Sequence, residues 1–153
     1  MDDGSSPGRR LAAVVLLGLL PWTVVVFEGE ASLVFGFGLV NTNPPNLVNL
    51  YDYLFVYTGR LPRRLQAWPA GAVLYAGALA SATGGLRSFE DPRLTSGLLV
   101  FAGISHAHVA YGLYRVYGMS PATVLPVGAL TTWAVAWWFY WPLARERGFA
   151  PVE

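Results

Sequence analysis

The chain has no cysteine and no lysine, and charged residues of any kind make up only 12% of its 153 residues. Without cysteine, disulfide bonds, thiolate catalysis and cysteine-ligated metal sites are excluded. The net charge of +1 provides no basic patch, so we expect no nucleic-acid partner. A soluble domain usually has about 25% charged residues, and the deficit indicates that much of this chain avoids water.

Long apolar runs account for the missing charge. Four of them cover residues 11–27, 69–86, 92–117 and 121–141. At about 1.5 Å per residue, a helical run of this length reaches across the hydrocarbon core of a bilayer, which is about 30 Å thick. The sequence therefore predicts an all-α protein of the cell membrane, an integral bundle of four transmembrane helices.

The stretch at residues 31–58 differs from the four runs because it is broken by Asn-Pro-Pro at 43–45. Its second half has apolar residues at helical spacing from Leu47 to Thr58, and Asn46 precedes them as a candidate cap. We predict a short interfacial or re-entrant helical segment here. If the stretch crosses the bilayer the chain has five spans instead of four, and the arginines do not decide which side is cytoplasmic.

The domain organisation that follows is simple. A single membrane domain at 9–147 lies between a disordered tail at 1–8 and a short tail at 148–153.

The third run contains the only two histidines of the chain. His108 shares a helix face with Ser105, Tyr111 and Arg115, and His106 points to the other side. Because a polar group that faces lipid costs a few kcal/mol, we expect this polar stripe to face the interior of the bundle. Two interpretations stay open: the histidines connect helices structurally, or they serve proton transfer, haem ligation or another ligand.

Three polar residues of the 31–58 stretch, Asn41, Asn43 and Asp52, would lie at the mouth of such a site. The candidate ligand-binding residues are therefore His108, Tyr111, Arg115, Ser105, Asp52 and Asn41. Catalytic motifs and metal-ligand spacings are missing, so we predict no catalytic residues, no metal site and no cofactor.

Small residues recur along the second run in two neighbouring ridges. These ridges are Ala72, Ala76, Ala80 and Gly84, and beside them Gly77, Ser81 and Gly85. Small side chains let helices approach closely. The leading prediction is a non-enzymatic helix-packing component or accessory subunit of a membrane complex, with the lipid bilayer, its own copies or other membrane subunits as partners. The alternative is a membrane cofactor-binding or small-molecule transport protein that uses the polar stripe.

Several short motifs resemble a family of small multi-pass membrane proteins from halophilic archaea. They are Leu20-Pro21-Trp22, Gly38-Leu39-Val40-Asn41-Thr42, Leu50-Tyr51-Asp52-Tyr53, Ala67-Trp68-Pro69 and Trp137-Trp138-Phe139-Tyr140-Trp141-Pro142. The resemblance covers nearly the whole chain. It implies a membrane location, but it brings no activity and no site residues.

Overall fold

The first apolar run is divided between a helix and a strand. The computed structural model describes residues 6–57, 59, 62–117 and 122–146, and its first helix, α1, is Pro7–Leu19. Pro21 follows, and proline cannot continue a helix because it lacks the backbone N–H and clashes with the preceding turn. Strand β1, Thr23–Phe27, then contains three consecutive valines, whose branched side chains favour extended backbone.

Five strands form one antiparallel sheet in the order β4-β3-β2-β1-β5. After β1 come β2, Glu30–Val34, β3, Gly38–Thr42, and β4, Pro45–Asn49. Strand β5, Ala122–Leu125, returns much later in the chain and pairs with β1, with Val124 opposite Val25. The sheet is therefore a hairpin meander that one distant strand extends.

The turn between β1 and β2 consists of two residues, Glu28 and Gly29. Their φ angles are 48° and 84°, both in the left-handed region. Positive φ at both central residues is the geometry of a type I′ turn, whose twist matches that of the flanking strands. Gly29 adopts this conformation without the steric cost that a Cβ adds.

The helices follow the meander and pack against it. The first is α2, Leu50–Asp52, which continues as a π-helical turn at Tyr53–Tyr57 and is followed by a 3₁₀ turn at Arg63–Leu65. Two long helices come next: α3, Ala67–Gly84, which ends in a 3₁₀ turn at Gly85–Arg87, and α4, Pro92–Tyr117. The last is α5, Val127–Val135, which continues through a π-helical turn at Ala136–Tyr140 into α6, Trp141–Glu146. Asp91 caps α4, since its Oδ1 accepts from the backbone N–H of Arg93 at 2.9 Å.

Two apolar cores hold these elements together. The helix core joins α1, α3, α4 and the π-helical turn after α5, and its buried members are Val14, Leu17, Ala78, Ala82, Leu99, Ala136 and Tyr140. The sheet core lies between the strands and the helices, and its buried members are Trp22, Val25, Val34, Leu65, Trp68, Val109 and Leu113.

The predicted all-α fold is wrong, and so are the four-span bundle and the multi-pass location in the cell membrane. A five-stranded sheet takes part of two of the four runs. Among the described residues, only the helix Pro92–Val116 is long and apolar enough to cross a bilayer, and the core helix of a soluble protein meets the same criterion. Each of these two runs consists of a strand and a helix joined end to end. A short apolar stretch looks the same in a buried strand as in a buried helix, so the sequence does not show where one ends and the other begins.

The predicted interfacial or re-entrant helical segment at 31–58 is wrong for its first part, because strands β2, β3 and β4 run through it as far as Asn49. Strand β4 takes Leu47 and Val48, so the helix begins at Leu50 and its cap is Asn49 instead of Asn46. In the fourth run the helix begins only at Val127, because β5 precedes it. The runs at 69–86 and 92–117 are helical, as α3 and α4.

The predicted tails fall largely outside the described residues. This holds for residues 1–5 of the first tail and for all of 148–153. Pro7 and Gly8 already belong to α1.

Candidate functional site

A cavity of about 310 Å³ lies between the sheet and the helices and is partly open to solvent. Its sheet side is formed by Val25, Phe27, Val34 and Leu39, and its helix side by Leu65, Trp68 and Leu113. Pockets for small molecules begin at about 300 Å³ and are mostly apolar with a few polar groups. This cavity, which we call the sheet pocket, has the size and the apolar walls of a small-ligand site.

The polar groups of the sheet pocket come mainly from β2 and β3. Ser32 and Asn41 are opposite each other in the β2–β3 pairing, and Ser32 Oγ donates to Asn41 Oδ1 at 2.7 Å. Glu30 also lines the pocket, and its Oε1 accepts from Asn43 Nδ2 at 2.6 Å. Because β2 and β3 are in register, the three polar residues line the same pocket.

Aromatic side chains form part of the pocket wall. Trp68, at the start of α3, is fixed by a hydrogen bond from its Nε1 to the backbone oxygen of Phe35 at 2.8 Å. Tyr53 also lines the pocket, and its ring centroid lies 5.4 Å from that of Trp68. Phe27 comes from the end of β1, next to the β1–β2 turn. The fold thus brings together aromatic rings from three separate parts of the chain.

The predicted polar stripe of α4 lies outside this pocket. His108, Tyr111 and Arg115 are exposed, and Ser105 is half-buried. The Tyr111 hydroxyl and the Arg115 guanidinium interact with each other on the surface. The expectation that the stripe faces the interior is wrong, since the opposite side of α4 packs against α3 and the sheet core. Ligand binding by these residues stays a prediction.

The two candidates from the 31–58 stretch have different surroundings. Asn41 lines the sheet pocket. Asp52 is part of the α2 cap: its backbone N–H donates to Asn49 Oδ1 at 2.8 Å, and its Oδ2 accepts from Asn49 Nδ2 at 2.6 Å. The structure does not bring Asp52 together with the α4 stripe, and of the six candidates Asn41 lines the sheet pocket.

His106 is the buried histidine of the pair, with 2% of its surface exposed. Its ring stacks on Trp22 with centroids 3.9 Å apart, and neither ring nitrogen has a hydrogen-bond partner of good geometry. Burial lowers the pKa of His106 from 6.5 to about 4, and the nearby Gly128 backbone offsets part of that shift. His106 is therefore neutral near pH 7, and it does not line the sheet pocket.

A second polar cluster, which sequence reasoning missed, lies at the far end of the helix core. Arg10 donates to Glu90 Oε2 from Nη2 at 2.8 Å and from Nε at 3.1 Å. Thr95 donates to the other Glu90 oxygen at 3.3 Å, and Ser81 lies 2.7 Å from Thr95. Burial, and then the nearby Glu90 carboxylate, raise the pKa of Tyr140 above its usual range. The sequence signal for this cluster is weak: Arg10 and Glu90 carry opposite charges, and each lies just before an apolar run.

Metal binding finds no geometric support in the described part of the chain. No group of three or more histidine or carboxylate side chains there is placed to hold an ion.

Residues 2–149 match the family described as Domain of unknown function (DUF8050). The chain belongs to this family. The match includes the sheet, the helices and the sheet pocket, so all of them are parts of the DUF8050 domain. No curated protein and no solved structure matches the chain. The resemblance to membrane proteins of halophilic archaea stays a prediction.

Proposed function

We propose that this chain is a non-enzymatic binding protein that holds one small, largely apolar molecule in the sheet pocket. The observation that carries the proposal is the cavity of about 310 Å³ with apolar walls and a polar group of Ser32, Asn41 and Glu30. An apolar body would displace water from the walls, and the polar group would fix its orientation.

The structural setting of the pocket supports the same proposal. Its walls come from three paired strands, from α3 and α4, and from the helical turns that contain Tyr53 and Leu65. The strands are tied together by backbone hydrogen bonds. Sites on such regular elements hold their geometry better than sites on loops. Binding would therefore need little rearrangement of the protein, and little of the interaction energy would be lost to ordering.

The test is an NMR titration with 3-phenylpropan-1-ol, a neutral molecule with an apolar body and a polar head. We expect saturable shifts at Ser32, Leu39, Asn41 and the Trp68 indole. The variant Leu39→Phe fills the pocket and should abolish saturation. Leu47→Phe is the matched control, since Leu47 is on the adjacent strand, is 60% exposed and does not line the pocket. Equal binding by both variants, or none by the wild type, would contradict the proposal.

A second candidate function, a helix-packing component, has its own observation. One small-residue ridge of α3 is used inside the chain: Gly77 faces Leu98, and Ser81 contacts Thr95. The other ridge is exposed at Ala76 and Ala80, beside Val73, and α3 has no charged residue. Two copies could bring this outer face together without burying a charge, with helix axes about 8–10 Å apart.

Because the chain has no cysteine, single-cysteine cross-linking tests this second candidate directly. Ala76→Cys and Ala80→Cys should form disulfide-linked dimers on mild oxidation. Thr123→Cys, on the exposed side of β5, is the control and should stay monomeric. Monomers for all three variants, or equal dimer yields from all three, would count against helix packing.

A further inference from the structure

We infer that the molecule held in the sheet pocket is a small organic cation, with an ammonium group at the polar end and an aliphatic or aromatic body against the apolar walls. This inference rests on the proposed binding function and adds the chemical class of the ligand.

The charge of the pocket lining is the first observation. Among the described residues, Glu30 is the one carboxylate of the lining, and no arginine belongs to it. The ion pair found in the described residues joins Arg10 and Glu90, so Glu30 has no cationic partner in that part of the chain. Glu30 is exposed to solvent at the edge of β2. A bound cation would meet an opposite charge there, whereas a bound anion would meet a like charge.

The hydrogen-bonding state of the polar group points the same way. Asn43 donates to Glu30 Oε1, and this fixes the carboxylate on the pocket side of β2. The Ser32 hydroxyl proton is already donated to Asn41, so Ser32 Oγ can offer a ligand only its lone pairs. Carboxylate and hydroxyl oxygens are acceptors, and an ammonium group brings up to three donors for them.

The aromatic residues complete the argument. Phe27, Tyr53 and Trp68 all line the pocket, and the rings of Tyr53 and Trp68 are neighbours at 5.4 Å. The face of an aromatic ring carries partial negative charge and attracts a cation within about 6 Å of its centre. A carboxylate beside such rings favours a cation over a neutral molecule of equal size.

The test compares three probes with the same body: 3-phenylpropan-1-amine, 3-phenylpropan-1-ol and 3-phenylpropanoate, at pH 7 and low salt. We expect the amine to bind about tenfold more tightly than the alcohol, and the carboxylate more weakly than both. Glu30→Gln should remove the preference for the amine over the alcohol. Glu28→Gln removes the same charge two residues away, outside the pocket lining, and should keep the preference.

The outcomes separate this inference from the proposed function. If amine and alcohol bind equally in the wild type, or Glu30→Gln keeps the preference, the cation inference is wrong while the binding function stands. If none of the three probes binds in the pocket, the binding function fails, and the inference fails with it.

Discussion

His106 is a titratable side chain in surroundings that hold only its neutral form. It is stacked on Trp22, and the glycines of two neighbouring helices make room for it: a Cβ at Gly71 would lie 3.1 Å from its ring, and one at Gly128 would lie 2.8 Å from Nδ1. A protonated imidazolium in this place would lose its hydration and gain no acceptor for its second proton. Folding therefore favours the neutral ring.

We predict an acid-sensitive stability that depends on His106. In the unfolded chain histidine takes a proton below about pH 6.5, while in the folded protein the pKa is about 4. Stability is therefore complete above the unfolded pKa and falls as the pH drops from 6.5 to 4, by roughly 3 kcal/mol in total. Urea denaturation at a series of pH values measures the slope. His106→Phe should flatten it, and His108→Gln, at an exposed site, should not; equal slopes in all three proteins would contradict this.

The buried Arg10–Glu90 ion pair leads to a second prediction about individual residues. Its side chains are 11% and 3% exposed, so removal of one partner leaves a buried charge without its counter-charge. We expect Glu90→Leu to lower the free energy of unfolding by about 3–5 kcal/mol, and the double variant Arg10→Met with Glu90→Leu to lose clearly less. A double-mutant cycle by chemical denaturation measures this. Additive losses would mean that the pair is not coupled.

At the scale of elements, two glycines with opposite surroundings give a paired prediction. Gly29 has φ +84° in the β1–β2 turn, whereas Gly97 lies inside α4 with open space where a Cβ would be. Gly29→Ala should cost about 1–2 kcal/mol, because alanine is strained in the left-handed region. Gly97→Ala should stabilise by about 0.5–1 kcal/mol, because glycine is a poor helix former. Thermal unfolding measures both changes, and the same sign for both would contradict the assigned turn.

The elements that the sequence predicts well are those with local start signals. The α4 helix has such a signal, because Asp91 is a favourable capping residue and Pro92 suits the first helical position, and Asp91 does cap α4 in the structure. The strands were missed because an apolar stretch of five residues looks the same in a buried strand as in a helix. The run Val24-Val25-Val26 and the pair Glu28-Gly29 are the strand and turn signals of this stretch, but they lie inside or next to an apolar run that is long enough for a helix.

At the scale of the whole molecule, the pocket depends on pairings that no local pattern encodes. The sequence predicts Asn41 as a site residue. Ser32 lies beside it only because β2 and β3 pair in this register, and Trp68 lines the same pocket from the start of α3, much later in the chain. The sequence predicts that the polar stripe of α4 faces the interior, but the stripe is on the surface. Which face of α4 is buried depends on where α3 and the sheet pack against it. Composition indicates an apolar interior, whereas the arrangement of its parts requires the tertiary fold.

The central claim is that the charge-poor stretch after α1 forms a sheet, and that these strands make one side of the sheet pocket. Nuclear Overhauser contacts between backbone protons in isotope-labelled protein test it most directly. We predict cross-strand contacts between Val25 and Val124 and between Val40 and Leu47, residues that the register places opposite each other. Helical contacts between residues three apart, continuing through Pro21 as far as Phe27, would contradict the claim.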